Sequence, residues 1–249
     1  MTAEARARFA AICEEEADRA ERGISTGIGT YSEKRLHRIL KRYVCEDENA
    51  YEIPVGKYVA DVYDDGKITE IQTKNLGSLL PKLRYYLEQT DCSITVIYPI
   101  LAEKTLIRMD RETGEILRSK RSPKKGRAED VLPELYSLSE LFFNPRLCVK
   151  AVLLRADEHR FSERMRYRRE GAYDSELFPR ELVAEQTFCH RKDFLRFLPN
   201  DVDSFTASEY EAMTKLKKRK LYSALNFLCA TGLLRREKEG NRYRYWICL

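Results

Sequence analysis

Apolar positions recur along this chain with two different periods, and the switches between them mark its elements. Residues 4–22 place apolar side chains three and four apart and predict an amphipathic helix that Gly23 stops. "TYSEKRLHRILKRYV" (30–44) predicts a second helix, with Leu36, Ile39, Leu40, Tyr43 and Val44 on one stripe. The intervening "GISTGIGT" is glycine-rich, but it follows no predicted strand and lacks a Lys-Ser/Thr pair, so it does not read as a phosphate cradle. Residues 57–64 and 67–74 then read as strands on either side of Asp65-Gly66, a pair that favours a two-residue type I′ turn. "SLLPKLRYYLEQ" predicts a helix with Pro81 in its first turn, where a missing N–H is tolerated. "SITVIYPIL" is a continuous β-rich run and reads as a buried strand. "KTLIRMD" and "EILRS", joined around Thr113-Gly114, predict a further hairpin, residues 128–143 a helix, and "LCVKAVLLR" another strand. Residues 156–185 are highly charged without a clear period and read as a connection or an irregular extension. The order of elements predicts an α/β fold, a mixed sheet flanked by helices.

The hairpin register carries the first chemical signal. An Asp65-Gly66 turn pairs Asp64 with Lys67, Tyr63 with Ile68 and Val62 with Thr69, and so sets Asp61 opposite Glu70. Opposed side chains have Cβ atoms roughly 4.5–5.5 Å apart, where like charges repel. Such a pair is either fully solvated or has a cation between its carboxylates. Val59, Tyr63 and Ile68 fall on the same face, which argues for partial burial and for the cation. Mg²⁺ favours hard oxygen ligands of this kind.

Composition narrows the classes. Charged residues are 34% and hydrophobic ones 43%, a globular balance rather than a disordered one. No apolar run approaches the roughly 20 residues needed to span a bilayer, and the acidic residues in "MTAEARARFAAICEEEADRAERG" argue against a signal peptide. Seven scattered cysteines without a CxxC read as free thiols in a reducing cytoplasm, and neither they nor the scattered histidines suggest zinc. Net charge is +5, but residues 214–249 hold ten Lys/Arg against two Glu, so the remainder is net negative. That asymmetry points to a nucleic-acid-facing C-terminal module. "RSKRSPKKGR" (118–127) is a second basic cluster, read as a solvated loop or as a further polyanion contact.

A helix carrying Glu33, then Asp61 on one strand, then Glu70-Ile71-Gln72 on the next, then a helix, all within residues 28–110, resembles the PD-(D/E)XK nuclease superfamily. The resemblance implies a restriction-endonuclease-like core in which Asp61 and Glu70 bind Mg²⁺ or Mn²⁺ and the carbonyl of Ile71 completes the site. It implies phosphodiester hydrolysis by a metal-activated water, with Glu33 and Gln72 in the catalytic set. Two positions depart from the pattern. Ala60 stands where Pro is usual, and Gln72 where Lys is usual. Gln carries no charge but can orient a water. Lys74, on the same face of the predicted strand, is placed to supply the missing cation. Glu33 also has a plainer reading, as the last member of a Thr30–Glu33 capping box.

The C-terminal stretch resembles a winged helix-turn-helix. Thr206 and Glu209 form a capping box, Leu221, Leu225 and Leu228 stripe a second helix that Gly232 ends, and two strands meet at Glu239-Gly240-Asn241. In that family the second helix enters the major groove and the wing touches the backbone. Lys217, Lys218, Arg219 and Lys220, then Ser223 and Asn226, then Arg242 and Arg244 on one face of the wing are the implied nucleic-acid contacts. The domains expected are a nuclease-like domain (1–155), a charged connection (156–185) and the winged helix (186–249). The function expected is a cytoplasmic, metal-dependent DNA nuclease. The alternative is a non-catalytic DNA-binding regulator whose degenerate nuclease-like domain serves homodimerisation or ligand sensing; an RNA-processing enzyme is a third reading.

Overall fold

A computed structural model describes residues 2–21, 31–110, 113–142, 144–162 and 174–248. In chain order the elements are α1 (Ala3–Glu21), α2 (Tyr31–Val44), β1 (Tyr51–Val55), β2 (Tyr58–Asp64), β3 (Lys67–Ile71), α3 (Leu80–Gln89), β4 (Ser93–Asp110) and β5 (Ile116–Arg121). They continue with α4 (Leu132–Leu135), β6 (Leu147–Ser162), β7 (Asp174–Phe188), β8 (Ser204–Thr206), α5 (Ala207–Thr214), α6 (Arg219–Ala230), β9 (Leu234–Glu239) and β10 (Arg242–Ile247). Seven strands form one mixed sheet in the order β1-β2-β3-β4-β6-β7, with β5 paired to β4. The β3–β4 pair is parallel and the β2–β3 and β4–β5 pairs antiparallel. A separate three-stranded sheet has the order β8-β10-β9. The mixed α/β class expected from the sequence is therefore correct. Among the described residues no helix is long and apolar enough to cross a membrane.

Three expectations need correction. The charged stretch 156–185 is strand at both ends, since β6 runs to Ser162 and β7 starts at Asp174. Its charges pair between strands: Arg180 Nε lies 2.9 Å from Asp157 Oδ2, and Arg155 Nη1 2.6 Å from Glu181 Oε2. A hydrophobic period cannot register strands held this way. The expected helix at 128–143 is only four residues of α-helix, Leu132–Leu135, between 3₁₀ turns at Ala128–Val131 and Tyr136–Leu138. Cys148 and Cys189 are not free thiols but a disulfide, with Cα atoms 4.3 Å apart. They sit at the start of β6 and just past the end of β7, which are neighbours in the sheet. The glycine-rich stretch 23–30 lies outside the described residues.

The chain forms two compact units, each assembled from three stretches. The first comprises Met1–Tyr51, Pro99–Arg127 and Val152–Glu185. Here α1 and α2 bury Phe9, Ile12, Leu36, Ile39 and Leu40. They also bury the carboxylate of Glu16, which accepts hydrogen bonds from Arg19, Arg38 and Arg42 at 3.3, 3.1 and 3.3 Å. Three guanidinium donors offset the desolvation of one acid.

The second unit comprises Glu52–Tyr98, Ala128–Ala151 and Gln186–Leu249. It contains both the β2–β3 hairpin and the whole of β8 to β10. Its centre is aromatic: Phe194 lies 5.0 Å from Phe227 of α6 and 5.1 Å from Phe188, and Phe142 lies 5.6 Å from Phe227, measured between ring centroids. Each such ring stabilises the unit by roughly 1.5–3 kcal/mol on burial, so the C-terminal elements belong to the core of this unit.

Candidate functional sites

The turn at the head of the β2–β3 hairpin forms as its residues require. Asp65 and Gly66 have φ of 43° and 71°, the left-handed pair that a type I′ turn needs. The register is Asp64 with Lys67, Tyr63 with Ile68 and Val62 with Thr69, as the turn dictates. Past Val62 the Asp61 side chain takes over from the backbone ladder, and its Oδ2 accepts the N–H of Ile71 at 2.8 Å. On the other edge of β3 the N–H of Gln72 donates to Ile97 of β4 at 3.0 Å. Since N–H and C=O of one strand residue share an edge, the carbonyl of Ile71 points to the Asp61 side.

Glu70 is far more buried than the hairpin alone suggests, with 2% of its surface exposed. It is covered from α3. Lys82 Nζ lies 2.5 Å from Glu70 Oε2, and Tyr86 Oη donates to Glu70 Oε1 at 3.4 Å. Burial pushes the Glu70 carboxyl up to about 7; the Lys82 ammonium opposes this, and the negative charge of Asp61 adds to it. Burial and the neighbouring Glu70 likewise push the Tyr86 hydroxyl well above its usual value. Tyr86 has no part in the sequence reading, in which Lys82, with Arg84, is an ordinary surface charge or a phosphate contact rather than a partner of Glu70. Their spacing held the signal: Lys82 is four residues before Tyr86, so the two share one helix face with Leu83 and Leu87 nearby.

The structure thus brings together Asp61, Glu70 and the backbone of Ile71, and adds an ammonium and a phenol. The remaining expected residues lie differently. β3 ends at Ile71, so the row Glu70, Gln72, Lys74 expected along one strand face does not form. The Gln72 amide turns into the following loop, donating to the carbonyl of Lys74 and, at 3.0 Å, to Ser78 Oγ. Lys74 is exposed in that loop. Glu33 is on α2, in the first unit, and its side chain lies outside the described residues.

Hard oxygens from Asp61, Glu70 and Ile71 fit Mg²⁺ or Mn²⁺ in kind. Among the described residues no group of three or more His, Cys, Asp or Glu side chains could hold a metal, so an ion here would depend on two carboxylates, a carbonyl and water.

The basic C-terminal elements follow the expected order. Thr206 caps α5 through a reciprocal box with Glu209, whose N–H donates to Thr206 Oγ1 at 3.3 Å. In α6, Leu221, Leu225 and Leu228 are buried as the stripe predicts, and Gly232 follows with φ of 71°. Lys217, Lys218, Arg219 and Lys220 are exposed at its start, though Lys220 Nζ is 3.6 Å from Asp130. Ser223 and Asn226 are half-buried. β9 and β10 pair antiparallel around Gly240, with Arg242 opposite Glu239 and Arg244 opposite Glu237. Arg244 Nε is held by Glu239 at 3.0 and 2.9 Å.

A family model matches residues 34–189, that of a domain of unknown function, DUF8091. Over 223 residues the chain is 26% identical to a protein of Treponema pallidum (strain Nichols) described as uncharacterized, covering 88% of this chain and 86% of that one. No solved structure matches.

Proposed function

We propose that this chain, which belongs to the DUF8091 family, is a divalent-metal-dependent nuclease that hydrolyses phosphodiester bonds in DNA. In this reading the β2–β4 region with α3 is a restriction-endonuclease-like core, and β8 to β10 with α5 and α6 are a winged helix that holds the substrate. One observation carries the proposal: a carboxylate almost fully withdrawn from water sits on β3 beside a second acid on β2, at the end of a hairpin whose backbone carbonyl turns the same way. An acid that costs so much to desolvate is better explained by a cation it is built to hold than by solvation.

Asp61, Glu70 and the Ile71 carbonyl would hold the ion, which when bound supplies Lewis acidity towards a phosphodiester oxygen and a water. Lys82 does what the sequence reading assigned to Gln72 or Lys74. It brings an ammonium to the acid pair, where it neutralises Glu70 in the metal-free protein and can turn to a phosphate oxygen once Glu70 is engaged. Attack by water forms one P–O bond as the bond to the leaving sugar oxygen breaks, and that oxygen takes up a proton.

The same ion pair supports a second reading. Lys82 occupies the place of a cation beside Glu70 at 2.5 Å, as expected of a degenerate core in a DNA-binding regulator. Incubation of the purified chain with plasmid and single-stranded DNA, with and without Mg²⁺ or Mn²⁺, separates the two. The nuclease reading expects divalent-dependent cleavage that Asp61→Asn and Glu70→Gln each abolish, with loss of Mn²⁺ binding by calorimetry. Unchanged Mn²⁺ affinity in Asp61→Asn, or no cleavage of any DNA form, favours the regulator.

A further inference from the structure

The two faces of the β9–β10 hairpin differ in chemistry. Directly paired residues share a face, so Tyr245 with Arg236 and Tyr243 with Lys238 lie on one side. Arg235, Glu237, Glu239, Arg242 and Arg244 lie on the other. On that second face arginines meet carboxylates: Arg235 lies 3.2 Å from Glu237 and Arg244 2.9 Å from Glu239. The first face has no carboxylate. It starts in the core at Leu234 and Tyr245, 3% and 2% exposed, and runs outward to Arg236, Lys238 and Tyr243 in solvent.

This face is continuous with the exposed stripe of α6. The buried positions Leu221, Ala224, Leu225 and Leu228 leave Arg219, Tyr222, Ser223 and Asn226 on the outside, three and four residues apart. Arg236 joins the two elements. Its Nη1 donates to Asn226 Oδ1 at 3.3 Å, and its guanidinium carbon lies 4.8 Å from the centroid of the Tyr243 ring. Tyr222 and Tyr243, 54% and 46% exposed, are two rings that solvent reaches on one cationic surface. Rings left in water among cations are poor groove-readers of a closed duplex, whose bases are stacked on each other. They suit unpaired bases, which offer π-faces beside a phosphate chain.

We propose that this surface of α6 and the β9–β10 hairpin binds single-stranded DNA by stacking unpaired bases on Tyr222 and Tyr243, with Arg236 fixing the Tyr243 ring from one side. The proposal rests on the nucleic-acid reading above and adds the substrate form: a single strand, or the unpaired part of a junction. The ten basic residues and two acids of 214–249 favour a polyanion over a protein partner.

The test is fluorescence anisotropy of the full chain with a labelled oligothymidylate of about 15 nucleotides and with a duplex of equal length. Tyr222→Ala and Tyr243→Ala should each weaken oligothymidylate binding about 10-fold and change duplex binding less than about 2-fold, while Tyr243→Phe, which keeps the ring, binds as the parent. Duplex binding with an oligothymidylate affinity that neither alanine variant lowers overturns the stacking surface and leaves the nucleic-acid reading standing. Equal losses on both DNA forms overturn the single-strand assignment. If the parent chain binds neither DNA, both readings fall.

Discussion

Two antiparallel hairpins of the second unit, β2–β3 and β9–β10, have a similar plan and opposite environments. Each turns at a glycine with positive φ, Gly66 in one and Gly240 in the other, and each carries a Glu engaged by a cation. In β2–β3 that Glu is 2% exposed and its cation comes from a separate helix. In β9–β10, Glu239 is half-exposed and meets Arg244 of the adjoining strand. A carboxylate inside must have a cation or a proton, because leaving it bare costs far more than the pair gains. A carboxylate in water needs neither. Identical pairing therefore carries different information: the Lys82–Glu70 pair is a constraint on the fold, and the Arg244–Glu239 pair is a local arrangement of surface charge.

The largest effect should come from breaking the buried pair on one side only. Lys82→Met leaves Glu70 without its ammonium, a change worth roughly 3–5 kcal/mol where the charge cannot relax. Here Glu70 can take up a proton, so the expected loss is about 2–3 kcal/mol at pH 8 and smaller at pH 5. The double variant Glu70→Gln/Lys82→Met should recover most of it. Urea unfolding at the two pH values measures all three proteins. A loss at pH 8 no larger than at pH 5 would mean that Glu70 is solvated, and the contrast between the hairpins would disappear.

Of similar size is the pH dependence of the metal-free protein. Burial holds the folded Glu70 pKa near 7, above its ordinary 4.5. A raised folded pKa gives a contribution fully present below the unfolded value and lost as pH rises through the folded one. Stability should thus fall between about pH 4.5 and pH 7, by up to about 3 kcal/mol, and Glu70→Gln should flatten this part of the profile. Under the nuclease reading Mn²⁺ restores stability at pH 8 and not at pH 5, since a ligand carboxyl must first lose its proton.

The two hairpins also differ in how much of each was legible. The β2–β3 register followed from two residues, because Asp-Gly in a two-residue turn leaves one pairing, and the facing acids followed from the register. The strand's end did not: alternation in "EIQTK" continues to Lys74, whereas the Gln72 amide is drawn into the loop and β3 stops at Ile71. Lys82 and Tyr86 were readable as an i, i+4 pair on α3, but only the depth of Glu70 says what they face. In β9–β10 the strands and their turn were legible from alternation. What alternation does not tell is how far the core reaches along a face: Tyr245 is 2% exposed, whereas Tyr243, two residues earlier on the same face, is 46% exposed. The Cys148–Cys189 disulfide bridges 41 positions and depends on β6 and β7 being neighbours, which no local pattern encodes.

The smallest effects belong to the start of α6 and the β9–β10 hairpin, and they refine the list of proposed nucleic-acid contacts. Deleting residues 205–249 would take Phe227 from Phe142 and Phe194, so the measurement needs point variants. Lys217 and Lys218 are exposed ahead of α6. If both meet phosphates, Lys217→Ala/Lys218→Ala should reduce the slope of log affinity against log salt by about 2 on duplex DNA. Arg244 is different, because Glu239 already holds its guanidinium through two carboxylate oxygens at 3.0 and 2.9 Å. A phosphate would have to displace that carboxylate, and the displaced charge would then repel the DNA. Arg244→Ala should therefore leave Tm within about 2 °C and lower the salt slope by less than about 0.5, roughly half a phosphate contact. Glu239→Gln should do more than Arg244→Ala, and in the other direction, by freeing the guanidinium and removing the repulsion. A full unit of slope lost in Arg244→Ala would show that DNA wins Arg244 from Glu239, and would place the charged face of the β9–β10 hairpin, rather than the face that carries Tyr243, against the nucleic acid.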